Sequence, residues 1–279
     1  MPNQTAARAE SAPPAVTAQV TFAVHTGEKP YQAAYDRPGK ARTNMAHRAE
    51  TVTIANARAI ESALSVDVHG FEIVRAPSAV QDFWDEAQTL ALGHPEVAEI
   101  VKRVTGAKRV VVFDHTRRRR TLDAIPSVGA SGYQPANRAH VDQTVLSGPK
   151  RVREVMGAQA DVLLQGRAAV INVWRPIAHA ARDWPLAVAD ARSVSPDDLI
   201  ASDLLFPHRT GETYGVAHSP AQRWYYTPDL SPDEVLLLKC WDSDERVARF
   251  TPHTGFEDPT TPPGTPPRES IEFRTMAFF

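Results

Sequence analysis

His140-Val141-Asp142 puts an imidazole and a carboxylate two residues apart in a segment, Ala139 to Val145, that alternates as a strand does. Side chains on a strand point to opposite faces in turn, so His140 and Asp142 emerge together while Val141 enters the other layer. With one further histidine, such a pair makes a facial triad that leaves three adjacent positions open on Fe(II). A keto acid can chelate through two of those positions and dioxygen can take the third. The expected cofactors are therefore Fe(II), a keto acid and O2.

Two downstream histidines compete for the third ligand place. His218 ends a short β-like run, Tyr214 to Ala217. His253 follows two strand candidates, Arg223 to Thr227 and Val235 to Trp241, and leads directly into Arg268-Glu269-Ser270, which opens the last strand. That order favours His253. A planar guanidinium matches a carboxylate in bidentate fashion and stays charged when buried. Arg268 is thus read as the clamp for the far carboxylate of the keto acid, with Ser270 adding a hydroxyl from the same strand face.

Other residues carry weaker signals. Asp114-His115 are strand neighbours, which face opposite ways and cannot ligate one ion without a bulge, so structural hydrogen bonds explain them better. His69 beside Gly70 reads as a turn or core-edge residue, and His208 in Pro207-His208-Arg209 as a surface turn. Arg175 is either an ion-pair partner or a second anion clamp, and with Trp174 it is a candidate substrate contact. Trp224 and Tyr226 share a face that Tyr225 does not, and Tyr225 is a candidate donor to the keto acid. Arg117 to Arg120 read as a solvated turn after a strand rather than an anion site. Cys240, the single cysteine, lies in an apolar run and reads as a buried strand thiol.

The elements that must position these groups are mostly strands. Val20 to His25, Glu50 to Ile54, Phe71 to Val74 and Arg109 to Phe113 are β-rich. Ser78 to Leu92 and Glu96 to Val104 have helical spacing, the second closed by Gly106. From about residue 135 strands dominate, with Ala168 to Trp174 a β-branched run and Ser270 to Phe279 the closing strand. The proline-rich stretch Thr260 to Pro267 cannot lie inside a sheet. The pattern predicts a mainly β fold with flanking helices around a double-stranded β-helix, the cupin-like jelly roll. Residues 1–19 are expected to form a disordered leader and 20–279 a single domain.

Composition narrows the class. The 279 residues are 42% hydrophobic and carry a net charge of -2, which gives no bulk attraction to nucleic acid or an anionic membrane. No apolar run reaches the roughly 18 residues of a spanning helix. A lone cysteine excludes internal disulfides and fits a reducing cytoplasm. A small-molecule substrate is expected, and assembly as a homo-oligomer is left open.

Together, Gly27-Glu28-Lys29-Pro30-Tyr31, Asp67-Val68-His69-Gly70-Phe71, Val112-Phe113-Asp114-His115-Thr116, His140-Val141-Asp142, Asn172-Val173-Trp174-Arg175-Pro176-Ile177, Arg223-Trp224-Tyr225-Tyr226, Pro252-His253-Thr254 and Arg268-Glu269-Ser270 form a recognisable set. The chain resembles the AsaB/CmcJ/gibberellin desaturase-like family of non-haem Fe(II)/2-oxoglutarate-dependent oxygenases, from about Val20 to the C-terminus. The resemblance implies an enzyme of secondary metabolism that hydroxylates or desaturates a small molecule. Two other classes fit the same residues: a cupin-type zinc lyase or hydrolase, and a non-catalytic partner of a modifying enzyme such as a methyltransferase.

Overall fold

A computed structural model describes residues 14–121 and 134–279. Its strands, in chain order, are β1 (Ala15–Val24), β2 (Tyr31–Ala33), β3 (Ala46–Asn56), β4 (Phe71–Arg75), β5 (Arg109–Arg119), β6 (His140–Val141) and β7 (Ala168–Pro176). They continue with β8 (Leu186–Ala189), β9 (Leu199–Leu205), β10 (Thr210–Val216), β11 (Trp224–Tyr226), β12 (Glu234–Asp242), β13 (His253–Gly255) and β14 (Glu269–Phe278). A nine-stranded sheet runs β1-β3-β11-β8-β13-β6-β10-β9-β2, and a five-stranded sheet runs β4-β12-β7-β14-β5. They face each other as the expected jelly roll.

Period-two alternation decides what lies between the sheets. Phe22, Ile54, Val141 and Tyr226 of the large sheet meet Val170, Trp174, Leu236, Leu238, Cys240 and Met276 of the small one in a single buried cluster. The opposite face of the small sheet is buried too. There Ile171, Val173, Val235, Leu237, Ile271 and Phe273 pack against Val97, Ile100 and Val101 of the helix His94–Thr105. A sheet covered on both faces needs near-continuous apolar strands, and every residue of β7 is buried. Cys240 is fully buried, and burial pushes its thiol well above the usual range, as an inert core thiol requires.

Several boundaries differ from the sequence reading. β1 begins at Ala15, so residues 15–19 of the expected leader belong to the sheet. The remainder, residues 1–13, lies outside the described residues. β5 continues through Arg119, which places Arg117, Arg118 and Arg119 on a strand rather than in a solvated turn. The helix expected from Ser78 starts at Glu86, where Asp85 caps it by accepting from the Ala87 and Gln88 amides. It passes through a π turn, Thr89–Gly93, into His94–Thr105, and Gly106 ends it at φ +75°. Thr260 to Pro267 stays outside the sheets.

Gly70 ties the two layers together next to the site. Its φ is +84°, and its carbonyl accepts from the Lys239 amide at 2.8 Å and the Thr251 hydroxyl at 2.7 Å. A Cβ here would collide with Thr251 Oγ1, two residues before His253. Gly70→Ala is expected to cost about 1–3 kcal/mol from the backbone alone, with the collision adding to it. Urea unfolding reads this directly, and an unchanged midpoint would count against it.

Candidate metal centre

β6 is only two residues long, but it is held from both sides. Gly215 of β10 pairs with His140 on one side and His253 of β13 pairs with it on the other. Directly paired residues point the same way, so the two rings face one pocket, their centroids 4.4 Å apart. Asp142 follows just past the strand end, with Oδ1 3.5 Å from His140 Nε2. One ligand-capable atom from each of His140, Asp142 and His253 lies within 4.8 Å of the others. His218 is not part of this group; its ring meets Phe22 edge to face at 5.1 Å.

The hydrogen bonds orient these donors. Nδ1 of His140 is 2.8 Å from the Arg138 carbonyl and Nδ1 of His253 is 3.0 Å from the Thr251 carbonyl. A carbonyl only accepts, so each Nδ1 carries a proton and each Nε2 is the nitrogen left to ligate. Burial alone would lower the His140 pKa, but Asp142 beside its Nε2 outweighs that and raises it, so a metal there displaces a proton. Burial, with His140 adding to it, lowers the His253 pKa to about 4, which keeps that ring neutral and ready to ligate. Burial alone would raise Asp142, but the Arg274 guanidinium and the His140 ring outweigh it and hold its carboxyl well below the usual carboxylate range. Asp142 Oδ2 accepts from Asn172 Nδ2 at 2.9 Å and from Arg274 Nε at 3.2 Å. Two imidazoles and one carboxylate make a donor set that fits Fe(II).

A small cavity of about 60 Å³ joins these three residues to Arg118, Trp174, Arg268, Glu272 and Arg274. Arg268 is 3% exposed and makes no ion pair among the described residues. Its Nη1 donates to the Trp184 carbonyl at 2.7 Å, its guanidinium lies over the Trp174 ring, and its Nε has no partner among the described residues. The buried Ser270 Oγ has none either. Burial, reinforced by Arg118, pushes the Arg268 pKa down to about 9. A buried cation without an anion is costly to keep, so these orphaned donors fit a carboxylate arriving with a cosubstrate.

Two of the expected site residues are placed elsewhere. Arg175 alternates with Trp174 and so enters the helix-covered face of β7. There its Nη2 donates to the Ala76 carbonyl and its guanidinium lies over Phe83, which corrects its reading as a cavity clamp. Tyr225 packs against Phe71, ring centres 5.9 Å apart, and does not line the metal cavity. Asp114 and His115 do face opposite ways. Asp114 accepts from Arg274, while His115 contacts His94 at 3.0 Å and Glu86 at 3.2 Å.

Glu272, Arg274, Asn172 and Arg118 were missed. Period-two counting from Arg268 along β14 reaches Ser270, Glu272 and Arg274 on one face, so the signal was present for two of them. Arg274 bridges Asp142, Asp114, Thr116 and Glu272. Arg274→Lys keeps the charge but cannot span four acceptors. It is expected to weaken divalent-metal binding roughly 10- to 100-fold, measured by Mn(II) titration; unchanged affinity would remove Arg274 from this role.

Metal-ready donors beside a buried, anion-seeking arginine are what an enzyme needs to hold iron and a dicarboxylate together. The jelly roll carrying them is that of the Fe(II)/2-oxoglutarate-dependent oxygenases. Known proteins bear this out. A family model described as "Oxidoreductase/YMDC permease-like domain" matches residues 20–278. The "Fe(II)/2-oxoglutarate-dependent dioxygenase nvfI" of Aspergillus novofumigatus is 32% identical over 260 residues, covering 91% of this chain and 92% of that protein. The "Hydroxylase/desaturase efuI" of Hormonema carpetanum is 32% identical over 258 residues, covering 85% and 86%. The solved structure of the "iron and alpha-ketoglutarate-dependent endoperoxidase NvfI" matches with a TM-score of 0.85 at 30% identity, covering 95% of this chain and 98% of that one. The chain belongs to this oxidoreductase family and is a Fe(II)/2-oxoglutarate-dependent dioxygenase of the hydroxylase/desaturase kind.

Proposed function

We propose that this oxygenase hydroxylates or desaturates a small-molecule secondary metabolite. Fe(II) would be held by His140 Nε2, Asp142 and His253 Nε2, and the far carboxylate of 2-oxoglutarate by Arg268 and Ser270. The observation that carries the reading is the buried Arg268 guanidinium, which lacks an anion among the described residues yet shares one cavity with all three donors. With iron, 2-oxoglutarate and O2 bound, the site supplies an oxidant able to take hydrogen from an unactivated carbon.

The chain's own part is positioning. The Arg138 and Thr251 carbonyls fix both rings, Asn172 and Arg274 fix the Asp142 carboxylate, and the Trp174 ring lies 5.4 Å from the Arg268 guanidinium. Among the described residues no helix is long and apolar enough to cross a membrane. A cytoplasmic enzyme without nucleic-acid partners, alone or as a homo-oligomer, agrees with the balanced charge and the single buried cysteine.

Anaerobic addition of Fe(II) and then 2-oxoglutarate is expected to produce a weak visible charge-transfer band. Admission of O2 with a panel of candidate metabolites should then release succinate. Absence of the band would favour a zinc lyase or hydrolase. A band without succinate from any candidate would favour an accessory protein.

A further inference from the structure

A second cavity, about 260 Å³, opens beside the metal centre and shares Asp142 and Arg274 with it. Any molecule in it therefore lies next to the carboxylate that is to hold the metal, which makes it the natural seat of the substrate. Its walls include Phe113, Leu204 and Phe206, which suit an apolar body.

Four carboxylates and four cations line it, but they are not paired one to one. Asp114 and Asp142 are both held by Arg274, Glu154 by Arg151 at 2.9 Å, and Glu212 by Lys29 at 2.7 Å from outside the cavity. Each of the four carboxylates thus has a cationic neighbour, with Arg274 and Lys29 shared among several. Two of the lining cations have no carboxylate neighbour among the described residues. Among the described residues Lys150 Nζ donates only to the Thr210 carbonyl, at 2.7 Å, and Arg209 lies over the Phe206 ring at 3.9 Å with no carboxylate partner. Thr210 follows Arg209 in the chain, so the bond from Lys150 brings both cations to one rim, where the helix Ser147–Met156 meets the β9–β10 hairpin.

Resting on the oxygenase reading, we propose that the substrate is an amphipathic acid. Its apolar body lies between Phe113 and Phe206, and its anionic group is bound by Lys150 and Arg209. Each cation can donate to a carboxylate or a phosphate oxygen. Anchoring at the rim presents the apolar end of the substrate to the metal, so oxidation falls on a carbon remote from the acid.

The test is calorimetric titration of the anaerobic Fe(II)/2-oxoglutarate-loaded protein, so that Arg268 is already occupied. The probes are phenylbutanoate, phenylpropyl phosphate and methyl phenylbutanoate. At least one anion is expected to bind ten-fold or more tightly than the neutral ester, and K150Q/R209Q is expected to lose that preference. Both side chains are exposed, so the double variant folds. Equal affinity for acid and ester, no binding by any probe, or a preference that survives in K150Q/R209Q overturns the proposal. The charge-transfer band is recorded first on the wild type. Its absence overturns the oxygenase reading, and its presence without anion preference overturns this inference alone.

Discussion

Asp142→Asn is expected to reduce succinate formation to background, although it changes the side-chain volume very little. The substitution removes the only anionic ligand of the proposed triad and turns one carboxylate oxygen into an N–H donor. Oδ2 currently accepts from Asn172 at 2.9 Å and Arg274 at 3.2 Å. An asparagine can keep those bonds through its carbonyl oxygen, and its amide nitrogen then faces the metal position. Since loss of an outer-shell partner alone costs about 10- to 100-fold, loss of the ligand charge should exceed that range in Fe(II) affinity. His253→Ala should act in the same way, whereas His218→Ala should leave iron binding intact, because His218 packs on Phe22 away from the other two ligands. Turnover retained in Asp142→Asn, or lost in His218→Ala, would mean that the triad has been drawn with the wrong members.

The part of this site that was legible in the sequence is the part governed by strand alternation. His140 and Asp142 were readable as co-facial, and the placement of His253 ahead of an arginine-bearing strand singled it out from His218. The same rule, applied only one step along β14, stopped at Ser270 and left Glu272 and Arg274 unnoticed. Arg175 failed for a related reason. β7 is buried on both faces and carries one polar side chain toward each, Asn172 and Arg175, so its sequence gives no sign of which face is the cavity. Only the pairing of β7 with β12 and β14 makes Trp174 inward and Arg175 outward. The short strands β2, β8 and β13 were likewise hard to read, because their position comes from neighbours rather than from local pattern. β13 is three residues long and is fixed by Val188 and His140 on either side. Arg118 was hidden by its setting in a run of four arginines, which looks like a solvated stretch until β5 pairs with β14 and turns alternate members inward.

Arg268→Met is expected to separate stability from cosubstrate binding. In the protein without cosubstrate, Arg268 is a buried guanidinium with an unpartnered Nε, no carboxylate partner among the described residues, and a pKa pushed down to about 9 by burial. Such a charge is a net cost to the fold, and an apolar side chain of similar length fills the space without it. The melting temperature of the cosubstrate-free variant should therefore hold or rise. Binding of 2-oxoglutarate should fall by about 2 to 5 kcal/mol, or roughly thirty-fold to a few thousand-fold, because its far carboxylate then enters a dry pocket with no cation to receive it. Arg268→Lys should recover part of that loss, as a single point charge rather than a fork. Thermal shift measures both effects at once. Added 2-oxoglutarate with Mn(II) should raise the melting temperature of the wild type in proportion to ligand affinity and do little for Arg268→Met. If the methionine variant melts well below the wild type, Arg268 is a structural residue bound through Trp184; if the ligand-induced shift persists, the carboxylate is held elsewhere, with Arg118 the next cation on the same cavity wall.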